Sequence, residues 1–248
     1  MKKFLTLISF ACVIYVKSQT IVNTYDLVTP IDSIWSATSE LQGTFAAGNG
    51  VFTALNSGLG LGRTMNTKTE FWFLGGYNYA SESQNIIYST GFTNFRIHYS
   101  SAKKIQIQAF YQNQFNSALK FKNRSLLGIN AGRKFDTKQI TFNATLGFFY
   151  EDELYSDQTE QISFRGNAST SITTELRDLD IHLTFYYQPD LLGFQDYRIL
   201  GELSLQIPLS ERLKFEVESA LRYDSEPHLD LLELDFSTVI GIVYSITN

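Results

Sequence analysis

Cysteine is nearly absent from this chain. Cys12 is the only one, and it lies in the first apolar stretch. A mature chain without it has no disulfide and no thiolate metal site. Proline is scarce too, at Pro30, Pro189, Pro208 and Pro227, which leaves long stretches free to pair as strands. Histidine occurs at His98, His182 and His228 alone. Basic residues are the minority charge, 20 against 25 acidic. That balance opposes nucleic-acid binding, which needs a basic footprint. After the first twenty residues no apolar run approaches the roughly 18 residues of a membrane-crossing helix. A chain that crosses a membrane without such a helix must do so as a closed barrel, because every backbone polar group in lipid needs a partner.

The N-terminus reads as a signal peptide. Met1-Lys2-Lys3 is basic, Phe4 to Val16 carries no charge, and Lys17-Ser18-Gln19 follows. A basic start, a short apolar run and small residues at the end describe a secretory leader cleaved after Ser18. An uncleaved anchor and lipidation at Cys12 are the alternatives; Phe10 is bulky for the second. Cleavage removes Lys2, Lys3 and Lys17 and moves the formal net charge from −5 to −8. The expected organisation is a signal peptide over 1–18, a periplasmic lead over 19–37 containing Pro30 and Trp35, and one all-β domain over 38–248. The remaining length of about 230 residues suits a single domain of that class.

What is abundant is alternation. Leu213, Phe215, Val217, Leu221 and Tyr223 alternate with Lys214, Glu216, Glu218, Arg222 and Asp224. After Ser225–Asp230 the chain returns as Leu232, Leu234, Phe236, Ile240, Ile242, Tyr244 and Ile246, alternating with Glu233, Asp235, Ser237, Gly241 and Ser245. Period two sends successive side chains to opposite faces of a sheet. Charges in mid-strand suit a wet lumen behind a lipid-facing wall. The same pattern runs through Ser39–Ala47, Val51–Arg63, a third strand through Phe71, Phe73, Tyr77 and Tyr79, Ile87–Tyr99, Ile105–Phe115, Arg124–Phe135, Ile140–Tyr150, a strand ending near Thr174, Leu179–Tyr187 and Tyr197–Leu209. With the final hairpin this makes a transmembrane antiparallel barrel of twelve strands, an even number that leaves both termini on one side.

Details of the pattern support the barrel. Gln106, Gln108, Gln112 and Gln114 alternate with Ile105, Ile107, Ala109, Tyr111 and Phe115; unpaired amides in lipid would be costly. Gly58, Gly60 and Gly62 share the inward face of the second strand and mark a bend, or a close approach in a narrow or filled lumen. Gly48-Asn49-Gly50 reads as a tight hairpin turn. Later connections alternate long and short: Glu151–Glu160, Arg177–Asp178, Pro189–Asp196, Ser210–Glu211, Ser225–Asp230. Long ones belong outside the cell and short ones in the periplasm. Tyr77, Tyr79, Tyr111, Tyr150, Tyr187, Tyr197 and Tyr223 then fall at the outer ends of outward faces, and Tyr99, Phe135 and Tyr244 at the inner ends, as paired aromatic girdles.

Trp35 ahead of Gly48-Asn49, and Tyr223-Asp224-Ser225-Glu226-Pro227 followed by Asp235, Gly241 and Tyr244, resemble the salt-induced outer membrane protein family, domain of unknown function 481. The resemblance spans nearly all of the mature chain and rests on short motifs. It departs at the C-terminus, where Ile246-Thr247-Asn248 replaces the terminal phenylalanine usual in outer membrane barrels. It implies an outer membrane barrel and supplies no catalytic residues.

The lumen candidates are Arg96, Arg165, Arg198, Glu202, Lys214, Glu216, Glu218, Arg222, Glu233 and Asp235. Two readings stay open for them: a charged pore constriction, or a polar core zipped shut by ion pairs. His182 faces inward beside Ser169 and Ser171, the minimum for nucleophilic catalysis. A lipid-modifying enzyme would need its site on the outer wall, so a hydrogen-bonded lumen histidine is expected there and no enzyme. Asp152, Asp157 and Glu160 lack the spacing and glycine of a calcium loop. No metal or cofactor is expected. The expected function is a small outer membrane channel with an acidic outer mouth. The alternative is a closed structural or envelope-stress barrel. Expected partners are outer membrane lipids and lipopolysaccharide, the barrel-assembly machinery, and small solutes or ions; nucleic acid is not among them.

Overall fold

The computed structural model describes residues 34–47, 51–83, 85–101, 105–210, 213–229 and 231–244. The expected leader, the Gly48–Gly50 turn, Lys103 and Lys104, Asp230 and the Ile246–Asn248 terminus lie outside the described residues. Twelve strands follow one another: β1 (Trp35–Ala47), β2 (Val51–Asn66), β3 (Thr69–Glu82), β4 (Asn85–Ser100), β5 (Ile105–Asn116), β6 (Phe121–Asp136), β7 (Ile140–Tyr155), β8 (Glu160–Leu176), β9 (Leu179–Pro189), β10 (Tyr197–Pro208), β11 (Leu213–Asp224) and β12 (Leu234–Tyr244). Each pairs antiparallel with its chain neighbour, and the sheet closes on itself, β1 meeting β12 with Ser39 opposite Tyr244. Closure leaves no edge strand to be blunted.

The alternation sets which side chains face out. Leu146 is 70% exposed and Phe236 67%, on the outer wall, while Phe149 and Leu126 are fully buried inside. The outer wall is apolar on every side of the ring, as a lipid-facing surface requires. Near one end its aromatic rings touch: Tyr187 meets Tyr197 with ring centroids 5.9 Å apart, Tyr197 meets Tyr223 at 5.8 Å, and Tyr77 meets Phe115 at 6.3 Å. Tyr99 and Phe135 are exposed at the opposite end; the side chain of Tyr244 is outside the described part. β8 has 17 residues, more than the roughly 9–11 that cross a bilayer, so the wall extends past the membrane. Register shifts interrupt the ladders near Ala80/Ser81, Gln114/Asn116 and Phe121/Asn123, at the rim, where bulges gather.

Three boundaries differ from expectation. β1 opens at Trp35, so Trp35–Ala37 belong to the wall rather than to a lead. Glu151–Tyr155 are strand and not loop, and only residues 156–159 connect β7 to β8. Their parity explains it: Phe149, Glu151, Glu153 and Tyr155 continue one buried face. Glu233 lies outside β12 and is exposed, where a lumen position was expected. Asp224 still ties to it, donating its backbone N–H to the Glu233 carbonyl at 2.8 Å.

The lumen has two kinds of filling. On the β3–β7 side Trp72 and Leu74 pack with Phe92, and Phe110, Leu126 and Phe149 form a second cluster. The inward glycines make room for these rings. A Cβ on Gly62 would stand 2.7 Å from the Trp72 ring, and one on Gly128 would meet both Phe110 and Phe149 at 2.7 Å. That is the close approach the glycine pattern implied. Buried charges and amides lie on both sides of the ring, from Asn94, Gln112 and Gln114 on β4 and β5 to Gln188 and Arg198 on β9 and β10.

Candidate functional site: a charged network across the lumen

Glu151 and Glu153, on β7, point into the lumen and are fully buried. Arg124 on β6, Arg165 on β8 and Arg198 on β10 converge on them. Arg124 Nε donates to Glu151 Oε1 at 2.7 Å and lies 3.0 Å from Glu153 Oε1; its Nη2 also pairs with Glu151 Oε1. Arg165 Nε donates to Glu151 Oε2 at 2.8 Å. Its Nη1 and Nη2 fork onto Asp196 at 3.0 and 2.6 Å, so the β9–β10 connection folds inward. Arg198 reaches across three strands: Nη1 donates to Glu151 Oε1 at 3.1 Å and Oε2 at 3.0 Å, and to Glu153 Oε1 at 3.2 Å. Its Nε donates to Asp224 Oδ2 at 3.0 Å. Arg222 on β11 continues the chain, to Asp224 Oδ2 at 2.5 Å and to Asp235 Oδ2 on β12 at 3.2 Å. Tyr155 adds its hydroxyl to Glu153 Oε2 at 2.9 Å.

The network therefore links β6, β7, β8, β10, β11 and β12 on one level near the end expected to face outward. Arg124, Arg165, Arg198 and Arg222 stand against Glu151, Glu153, Asp196, Asp224 and Asp235. A buried charge is tolerable only when its lone pairs and protons are met, and planar guanidinium forks suit that task. Of the expected lumen residues, Arg165, Arg198, Arg222 and Asp235 come together here. Arg124, Glu151, Glu153, Asp196 and Asp224 were not among them. The strand parity of Glu151 and Glu153 was the signal, hidden by reading consecutive acids as a solvated loop. The expected acidic mouth accordingly loses Glu151 and Glu153, which are neutralised inside.

The other lumen candidates sit deeper. Glu216 Oε1 accepts from Ser204 Oγ at 2.8 Å and from Gln206 Nε2 at 2.9 Å. Lys214 Nζ bridges Asp180 and Gln206, at 3.0 Å each, half open at the inner end. With its amide oxygen toward Arg96, Gln108 accepts from Nε at 2.7 Å and Nη1 at 3.2 Å. Glu202 is buried on the inward face of β10, and Glu218 is half-buried on β11. His182 engages Thr173 at 2.9 Å and Thr184 at 2.8 Å. Ser169 pairs with Thr145 and Ser171 with Asn143, while each histidine nitrogen meets a threonine hydroxyl. Among the described residues no three His, Cys, Asp or Glu side chains gather in a metal-binding group.

A closed twelve-stranded antiparallel barrel with an apolar outer wall and a charged lumen belongs to the outer membrane β-barrel fold class. Residues 39–246 match the family described as protein of unknown function, DUF481, and the chain belongs to that family. No curated protein matches the sequence. Among solved structures the NanC porin is similar, with TM-score 0.52 and 9% identity, over 84% of this chain and 100% of that one. The KdgM porin in complex with disordered oligogalacturonate gives 0.47 at 11% identity, over 85% and 99%. The translocator domain of the autotransporter NalP from Neisseria meningitidis gives 0.44 at 13%, over 86% and 87%.

Proposed function

We propose that the protein is an exported outer membrane barrel that serves as a small channel, with the arginine–carboxylate network as its constriction. The observation that supports this is the placement of opposite charges on one level inside a twelve-stranded wall, with hydrogen-bonding side chains below. A pore constriction of fixed charges selects and gates small solutes or ions. The leader ending at Ser18, the lipopolysaccharide around the rim, delivery by the barrel-assembly machinery and the tie to salt-induced outer membrane proteins belong to the same proposal. The burial of Arg124, Arg165, Glu151 and Glu153 favours a second reading, a closed structural barrel.

Arg198 separates the two. Without it Glu151 keeps Arg124 and Arg165, Glu153 keeps Arg124, and Asp224 keeps Arg222. No acid loses its last guanidinium, while the span between β7 and β10 opens. Single-channel recording on refolded Arg198→Ala barrel in planar bilayers should show larger or longer openings than the parent protein. If the variant refolds and both stay silent, the closed reading replaces the channel.

A further inference from the structure

The connection between β11 and β12 does more than turn the chain. In the closed strand order the β11–β12 hairpin stands opposite the β5–β6 hairpin, six places round the ring. Residues on the two nevertheless touch. Lys120 Nζ donates to the Leu229 carbonyl at 3.1 Å, and Leu231 packs on Leu119, Phe121 and Tyr155. Contacts between opposite hairpins mean that this connection crosses the mouth as a strap. Its near end is tied beside β10: Ser225 N–H donates to the Tyr197 carbonyl at 3.0 Å, and Tyr197 N–H to Ser225 Oγ at 2.8 Å. Its far end is held by His228. That ring stacks on Tyr155 with centroids 3.7 Å apart, and its Nε2 lies 3.1 Å from Asp157 Oδ2.

We infer that His228 is a proton-sensitive latch that holds the β11–β12 strap across the outer mouth. Imidazole changes its charge between pH 5 and 8. The protonated ring makes an ion pair with Asp157 and places a cation on the Tyr155 face; the neutral ring keeps only a hydrogen bond and stacking. Asp157 remains a carboxylate at mildly acid pH, because the Thr159 backbone N–H donates to it at 2.9 Å and holds its pKa below the usual aspartate range. The titratable and charged groups on the elements that meet here are Asp157 and Tyr155 from the β7–β8 hairpin, which touch the ring, Lys120 from the β5–β6 hairpin on the neighbouring Leu229 carbonyl, and Glu226 on the strap itself. The strap is therefore held most firmly when His228 carries its proton and Asp157 does not, and it loosens when the ring is neutral.

This deepens the channel reading and rests on it for its consequence, but its motion can be followed without any current. A nitroxide attached at Leu229→Cys in a Cys12→Ser background reports strap mobility in the refolded full chain. Between about pH 5.5 and pH 8 the ratio of mobile to immobile label should rise by about twofold to fivefold, the range of a partly exposed ion pair. His228→Ala and Asp157→Asn should each give the mobile spectrum at both pH values. Equal mobility of the parent label at both pH values, or a pH response that survives in either variant, overturns the latch. If the label responds as expected while bilayers show no current at either pH, the strap stands and the channel reading fails.

Discussion

Glu151 is the side chain on which the interior depends most. Three guanidinium groups, from β6, β8 and β10, meet on its two oxygens, and it is fully buried. Removing one member of a buried ion pair leaves the others desolvated and unmatched, at about 3–5 kcal/mol. Glu151→Gln should therefore lower the stability of the refolded barrel by about that amount in a urea titration read by tryptophan fluorescence. Arg198→Ala should cost distinctly less, since every carboxylate it touches retains another arginine. Equal losses for the two variants would mean that the network is not organised around Glu151.

The strand β7 shows how an element combines both solvents of the barrel. Phe142, Leu146 and Phe148 face out, and Asn143, Thr145 and Phe149 face in. An arginine on the lipid face near mid-bilayer costs about 2–4 kcal/mol. Leu146→Arg should pay that in a refolding titration, and Asn143→Arg much less, because Asn143 already hydrogen-bonds Ser171 inside the lumen; equal destabilisation would reverse the assigned faces. Strand number, faces and the close approach at the glycines were legible in the sequence, because each is a property of local period or of one residue type. The network was not. Its bonds join residues 14, 27 and 47 positions apart, the first two brought together by the register of neighbouring strands and the third across the lumen, and Glu151-Asp152-Glu153 looks like a solvated turn until Arg124, Arg165 and Arg198 arrive. The strap across the mouth was hidden for the same reason: Lys120 and Leu229 are 109 residues apart.

At the scale of the whole molecule the two ends of the barrel differ in charge. Glu82, Asp152, Asp157, Glu160, Glu226 and Glu233 are exposed at the end with the strap, with Lys122 among them. The opposite end interleaves exposed Lys68, Lys138 and Arg177 with Glu175 and Asp178. The internal carboxylates add little to this field, because their arginines neutralise them at contact distance. A rim of exposed acids concentrates cations over the mouth, with a reach of about 10 Å at 0.1 M salt. Under a potassium chloride gradient in a planar bilayer, the reversal potential of a conducting barrel should shift towards potassium, and the shift should shrink as total salt rises. Replacing Glu82, Glu160 and Glu226 together by glutamine should weaken the shift while leaving the buried network and the His228–Asp157 contact in place. Acidic loops could instead serve only to bind the divalent ions that bridge lipopolysaccharide, in which case the same triple variant would leave selectivity unchanged and loosen the association with lipopolysaccharide in magnesium. A barrel that conducts with a preference for chloride would show that the lumen arginines, and not the rim acids, set the field that a passing ion meets.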